Sequence, residues 1–505
     1  MSRVLTNNTS LSYAIESALG VLPGSPIWHE LEPNTIGAFG AEITTVARSP
    51  ISKNRQRRKG TVTDLDSSLD WDGDLTLTHF TDFAEGFCFS GAVNQNLDFV
   101  GSNGTGTGYT VAALVSAQTN KLHFAATGNT SLLFARGYAV AANNGLNPLD
   151  SQPINTDTEL TTANAVVETA PSNATVDIAG IRAETGDLDV TVTSGVATIT
   201  SGNETPVATI DFTTLGLTPG QFVHIGGMLA AQQFDGSLGY GRIVSIAAAE
   251  MVLDKIDATL ITAAGTTDTV DILFGRFIRN VPTDNAEFLE RTFQFEQTFP
   301  NLQAVSTDMY EYAKGNFVDS IAITMPLADK STVAIGFIGT DTEVPSVTRK
   351  TNAAAALAPS RTGAFNTTSD CTRLRIAELD ESGVYTDFKS LTVTLSNNVS
   401  PEKVLCNLGA KYMNFGNFEV NVEAQLVFSD VGVAAAIRNN TTITMDFGLK
   451  NDDGALFIDI PAMTLGGGGR DFPVNESVLI NTTGEAFADP TLNTSIGISL
   501  FPIVP

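Results

Sequence analysis

Five aspartates recur at even positions of one short stretch: Asp64, Asp66, Asp70, Asp72 and Asp74. Two carboxylates can act as acid and base on a glycosidic bond when their environments drive their pKa values apart. A uniform row offers no such contrast, so hydrolysis is not expected of it. Calcium binding is the next chemistry to weigh. Asp70, Asp72 and Gly73 follow the order of a helix-loop-helix calcium site, but the first ligand position is Ser68 and the twelfth, which needs a bidentate Glu, is His79. The loop fails at both ends.

The remaining reactive residue types are scattered. His29, His79, His123 and His224 stand in no metal-ligand spacing. Cys88, Cys371 and Cys406 are odd in number, lie far apart and form no CxxC, which indicates neither a disulfide framework nor zinc and suits a reducing compartment. The run Gly466, Gly467, Gly468 and Gly469 lacks the Lys and Ser or Thr of a phosphate-cradling loop and reads as a flexible turn between strands. No catalytic, cofactor or metal site is expected, and the chain is not read as an enzyme.

Charge is more informative. The formal net charge is −27, from 55 acidic and 28 basic side chains, so the surface as a whole repels phosphate backbones and anionic membranes. Against that background Lys53, Arg55, Arg57, Arg58 and Lys59 place five cations in seven positions. They form either a solvated loop or a tip that docks on acidic surface of another copy. No apolar stretch approaches the roughly 18 residues that span a bilayer, and the amino terminus lacks a leader pattern, so neither secretion by that route nor membrane insertion is expected.

The aspartates need an element to position them, and the alternation supplies it. Leu65, Leu69, Trp71, Leu75 and Leu77 occupy the odd positions, which predicts a strand over 64–78 with one buried and one wet face. At ~3.3 Å per residue it would run roughly 50 Å, far beyond the usual strand. A preceding strand near 42–48 would reach it through the basic tip, and 82–91 reads as a short helix or turn ended by Gly91.

A content of 42% hydrophobic and 16% charged residues predicts an all-β fold with a few short helices. A length of 505 residues predicts two or three modules. The expected division is a discontinuous domain of 1–95 with 284–505, an inserted β module at 96–175, and a second, Ig-like or SH3-like, at 176–283. Within the insertion 132–145 and 217–241 are weakly similar. In the carboxy-terminal part Phe293, Phe295 and Phe299, then Leu391, Val393 and Leu395, then Val420, Val422 and Leu426, then Ile443, Met445, Phe447 and Leu449 mark strand faces. Short helices are expected at 401–408 and 431–438.

The order of AIES (14–17), GVLPGSPIW (20–28), RQRR (55–58), the acidic strand, IGFIGTDTE (335–343) and a terminal run of alternating strands resembles the major tail tube proteins of long-tailed, non-contractile bacteriophages, over 1–95 and 284–505. The resemblance implies a β-sandwich or half-barrel whose subunits close into homohexameric rings, stacked into a tube that conducts phage DNA during ejection. It implies a place in the virion tail after assembly in the host cytoplasm. The implied partners are further copies of the chain, the tape measure protein and phage DNA in the lumen, and tail terminator and tail tip proteins at the ends, with no membrane and no cofactor. Asp64, Asp66, Asp70, Asp72 and Asp74 would line the lumen, and Lys53, Arg55, Arg57, Arg58 and Lys59 would lie where one ring meets the next. The 96–283 modules would project outward. A chain with two tube domains would instead form trimeric rings; a single copy of the acidic pattern favours six. Two other readings stand beside this one: another virion ring component, such as a tail terminator, baseplate or capsid decoration protein, and a carbohydrate-binding surface protein.

Overall fold

A computed structural model describes residues 4–49, 51, 53, 56–91, 103–104, 108–110, 128–149, 159–161, 166–169, 174–203, 208–265, 269–300, 308–350, 356, 362–429 and 431–505. The described chain is mostly antiparallel β structure with two α-helices, so the all-β expectation holds. It divides into two compact units. The first comprises Met1–Phe89, Phe288–Ala364 and Lys389–Gln425; the second comprises Ser90–Glu287, Phe365–Phe388 and Leu426–Pro505. The segments 365–388 and 426–505 thus group with 90–287, where the sequence division had joined them to 1–95.

In the first unit the acidic strand runs Arg58–Asp74 and is followed at once by a helix, Leu77–Cys88. The strand therefore begins six residues before the expected 64 and ends four before 78. Phe80, Phe83, Ala84 and Phe87 are buried at helical spacing, so the period of 3.6 takes over just where Leu75 and Leu77 happen to prolong the period of two. The helix ends on Phe89 in a left-handed conformation, φ 48°, and not at Gly91. Phe83 lies 5.8 Å from Trp71 and 5.2 Å from Phe293 between ring centroids, and Phe295 lies 4.8 Å from Phe337. These rings fix the odd face of the acidic strand inward. Gly86 permits the approach, since a Cβ there would sit 2.7 Å from the Phe293 ring.

In the second unit ten strands between Thr130 and Leu273 form one sheet. Thr130–Arg136 pairs with Thr175–Arg182, so strands from both expected modules share this sheet and one core, with Leu133, Val176, Ile199, Ile243 and Ile272 all buried. A further set of strands is built on Thr442–Asn451 and Gly454–Asp471. The glycine run lies inside the latter strand and not in a turn: Gly467 and Gly468, at φ 78° and 89°, form a bulge opposite Thr482 and Asn481. Gly432–Asn439 is helical as expected, but 401–408 is not, because Ser400–Glu402 pairs with Tyr412–Asn414 as a small hairpin.

Acidic and basic side chains in the second unit are sunk between strands. Asp446 and Asp459 are each 1% exposed. Lys255, equally buried, reaches Asp459 at 2.6 Å and Asp446 at 3.5 Å, and Arg242 meets Asp459 at 2.8 Å. Arg373 and Arg375 both bond Asp446, the latter at 3.0 Å. The cluster ties the turn after Glu250–Asp254 to strands of the carboxy-terminal segment.

Asp177 is the poorly satisfied exception. Arg136 and Arg276 approach only to 3.9 and 4.0 Å, and its Oδ2 has no hydrogen-bond partner. Burial pushes its carboxyl up to about 6, against the pull of Arg136. With the folded value above the unfolded one, the favourable contribution of this group is complete below pH 4 and is lost as pH rises through 6. Asp177→Asn is expected to raise stability at pH 8 by about 2–3 kcal/mol and to leave it unchanged at pH 4, as read by calorimetry at both pH values.

Candidate assembly surface

The acidic strand changes partners along its length. From Ser67 to Asp72 it is held between two strands: Thr332–Gly339 on one side, whose register runs from Ser67↔Gly339 to Asp74↔Thr332, and Thr35–Arg48 on the other. Among the described residues, from Arg58 to Asp66 only Thr35–Arg48 pairs with it, down to the pair Arg48↔Arg58. The two strands thus leave the sheet as a ribbon, here called the arm. Among the described residues Thr35–Arg48 pairs with no other strand, so its outer edge presents unpaired amides and carbonyls. Ile43, Val46 and Val62 are each about half exposed on the arm. A free two-stranded ribbon with an open edge is marginal in water and calls for a partner.

At the sheet end the alternation of the acidic strand is as expected. Leu65, Ser67, Leu69 and Trp71 are buried, while Asp64, Asp66, Asp70, Asp72 and Asp74 share the other, wetter face. Each carboxylate has a fixed partner within the unit. Lys403 Nζ bonds Asp64 at 2.7 Å and Asp66 at 2.6 Å. Lys330 and Asn34 both reach Asp74 at 2.6 Å, Thr35 donates to Asp72, and the Ala38 amide donates to Asp70 at 2.7 Å. The hydrogen bond from Lys403 holds Asp64 below the usual carboxylate range, and Asp64 and Asp66 raise the Lys403 ammonium in return. Burial acts against ionisation of Asp74, but Lys330 and Asn34 outweigh it and hold that carboxyl down. These five carboxylates and two lysines together carry a net charge of −3, and Glu42 stands opposite Asp66.

Lys403 lies 339 residues along the chain from Asp64, and no pattern in the sequence joins them. Of the basic cluster, Lys53, Arg57, Arg58 and Lys59 are exposed at the far end of the arm, and Arg55 lies outside the described residues. Among the described residues none of the four has an ion-pair partner, whereas Arg48 and Arg58 face each other directly across the strands. Like charges so placed repel.

Other reactive groups lie apart from this surface. His224 is buried with Nδ1 on the Gly226 carbonyl at 2.9 Å, and burial pulls its pKa down to about 4. The Cys88 thiol is buried and raised, and Cys406 is exposed. His123 and the side chain of His79 lie outside the described residues. Among the described residues no group of His, Cys, Asp and Glu is arranged to hold a metal, and no helix is long and apolar enough to cross a membrane.

No curated protein matches the chain. A family model described as phage tail tube protein matches residues 6–231 and 247–483, which cover most of the chain, including much of the 96–283 region that the motif resemblance had left out. The long ribbon, the antiparallel sheets and this match agree, and the chain belongs to the phage tail tube protein family.

Proposed function

We propose that this structural tail protein polymerises through its arm into stacked homohexameric rings, and that the resulting tube conducts phage DNA during ejection. The observation that carries this is the ribbon that leaves its own sheet, on a strand, Thr35–Arg48, whose outer edge pairs with no other described strand. Pairing of that edge with the sheet of a neighbour satisfies the backbone groups and removes an aggregation hazard at once. Ring closure then follows if the rotation between neighbours closes.

In this reading Asp64, Asp66, Asp70, Asp72 and Asp74 face the lumen, and Lys53, Arg55, Arg57, Arg58 and Lys59 lie between rings. The tape measure protein and then DNA occupy the lumen, tail terminator and tip proteins close the ends, assembly takes place in the host cytoplasm, and the region 96–283 faces outward. A bore with residual negative charge repels DNA phosphates and keeps them from adhering in transit.

Electron microscopy of the purified chain is the direct test: long hollow tubes with six-fold rings are expected, and isolated rings or monomers would contradict the reading. Asp70→Lys with Asp72→Lys is expected to leave tubes intact and to slow DNA release from phage carrying the change, measured by dye uptake on ejection. Unaltered release kinetics would remove the electrostatic part of the proposal.

A further inference from the structure

A block of strands in the first unit recurs in the second. Met309–Met325 turns through 326–331 into Thr332–Gly339, and Gly454–Asp471 turns through 472–478 into Leu479–Ala486. Met325 and Phe472 are each followed by a proline, and two residues beyond it Ala328 and Asn475 share a left-handed backbone, φ 56° and 66°. The Leu75 amide donates to the Ser331 carbonyl at 3.0 Å and the Phe428 amide to the Val478 carbonyl at 2.8 Å, so an incoming strand closes each loop at the same place. The helix of each unit ends on a left-handed residue, Phe89 or Asn440. In each block the first half of the long strand pairs with the strand before it, Phe293–Phe299 or Thr442–Asn451, and the second half with the strand after the loop. The two blocks are one supersecondary unit used twice.

They differ at one edge. In the first block Phe388–Ser396 occupies the edge opposite Thr332–Gly339, in register Ser320↔Ser396 to Met325↔Leu391. In the second, pairing with Thr442–Asn451 stops at Thr464, and among the described residues no strand occupies 465–471 on the side opposite Leu479–Ala486. Side-chain exposure follows the vacancy. Thr324↔Thr332 and Asp471↔Leu479 are the last pairs before the two loops, so Met325 and Phe472 hold the same place. Met325, opposite Leu391, is 4% exposed, whereas Phe472 is 73% exposed. The strand that fills the first edge has a counterpart too. Phe388–Ser396 neighbours Glu419–Val427, which leads into Phe428, as Thr35–Arg48 neighbours Arg58–Asp74, which leads into Leu75. Phe388–Ser396 has its outer edge covered by Met309–Met325, and Thr35–Arg48 has its own uncovered among the described residues.

We infer that the open edge 465–471 is the seat of Thr35–Arg48 from a second copy, paired antiparallel as Phe388–Ser396 pairs with Met309–Met325 inside the chain. One junction of this kind is made internally, and each chain then offers one donor edge and one acceptor edge to other copies. Such heterologous contacts propagate from copy to copy. Main-chain hydrogen bonds supply the affinity, and side chains that alternate between faces supply the register. Phe472 is covered in the junction as Met325 is covered beside Leu391, and the half-exposed Ile43 and Val46 are the apolar side chains that the arm brings to it. The basic tip and the acidic row take no part in this pairing. The assignment rests on the proposed polymerisation and names the strand that receives the arm.

The test uses full-length chain. Phe472→Asp is expected to reduce sedimenting polymer about tenfold, the effect of losing one anchoring side chain, while Phe472→Leu polymerises as wild type does. Both variants should unfold at the wild-type temperature as monomers, because the ring is exposed there. Cross-linking reads the contact directly. Chains carrying Phe472→Cys are mixed with chains carrying a single cysteine at Ala41, Glu42, Ile43, Thr44, Thr45 or Val46 in turn, all with Cys406→Ser, then assembled and oxidised. Disulfide-linked dimers are expected at alternate arm positions, where the side chains share the face of residue 472. If wild type forms tubes and either Phe472→Asp polymerises as wild type does or no arm cysteine couples to position 472, the arm is seated elsewhere and the tube reading stands. If wild type stays monomeric, both fall.

Discussion

Replacing Asp446 with Asn is expected to destabilise the protein by about 3–5 kcal/mol, the cost of removing one partner from a buried ionic cluster. Lys255, Arg373 and Arg375 all converge on this carboxylate, and Lys255 is itself buried, so the substitution strands positive charge where water cannot reach it. Burial opposes ionisation of Asp446, but these three cations together outweigh it and hold the carboxyl below the usual range. A depressed folded value means that the stabilisation is complete above about pH 4 and disappears as pH falls through the folded value. Wild type should therefore lose stability steeply in acid while Asp446→Asn shows a flatter acid limb. Guanidinium unfolding followed by circular dichroism between pH 3 and 7 checks both statements, and an unchanged midpoint at pH 7 would refute them.

Removal of the arm should abolish polymerisation and spare the fold. Thr45 and Val62 face each other in the ribbon, so residues 46–61 can be replaced by Asn-Gly, whose two-residue turn matches the twist of the flanking strands. The truncated chain keeps the sheet, the Trp71 and Phe83 contact and the acidic row, and loses the basic tip. It is expected to unfold at the wild-type temperature and to sediment as a monomer at concentrations where wild type forms tubes. Tubes formed by the truncated chain would show that another surface drives assembly.

The two predictions concern groups that differ in how they announce themselves. The acidic strand is legible because its neighbours in space are also its neighbours in sequence: side chains alternate between two faces, and the row of aspartates against Leu65, Leu69 and Trp71 states which face is wet. Its carboxy-terminal end differs from the expected one because the first helix keeps Leu77 and Phe80 apolar, and a period of two cannot be told from 3.6 over two or three residues. The same ambiguity produced the expected helix at 401–408, where pairing of Ser400–Glu402 with Tyr412–Asn414 prevailed over local preference.

What the sequence alone determined is therefore the β class, the two-faced acidic strand, the separate cluster of cations at 53–59 and the likeness to tail tube proteins, all carried by residues close together in the chain. What only the tertiary structure decided are the contacts between distant segments. Lys403 on Asp64 and Asp66, Ser67 beside Asn316 over Gly339, and Lys255 between Asp446 and Asp459 each join residues more than 180 positions apart. Such pairs leave no periodic trace, because their partners are chosen by sheet register and by the requirement that a buried polar group find a counterpart. The acidic strand meets both kinds of fact: alternation wrote its two faces, and folding determined which of its aspartates already hold a lysine and where its ribbon leaves the sheet.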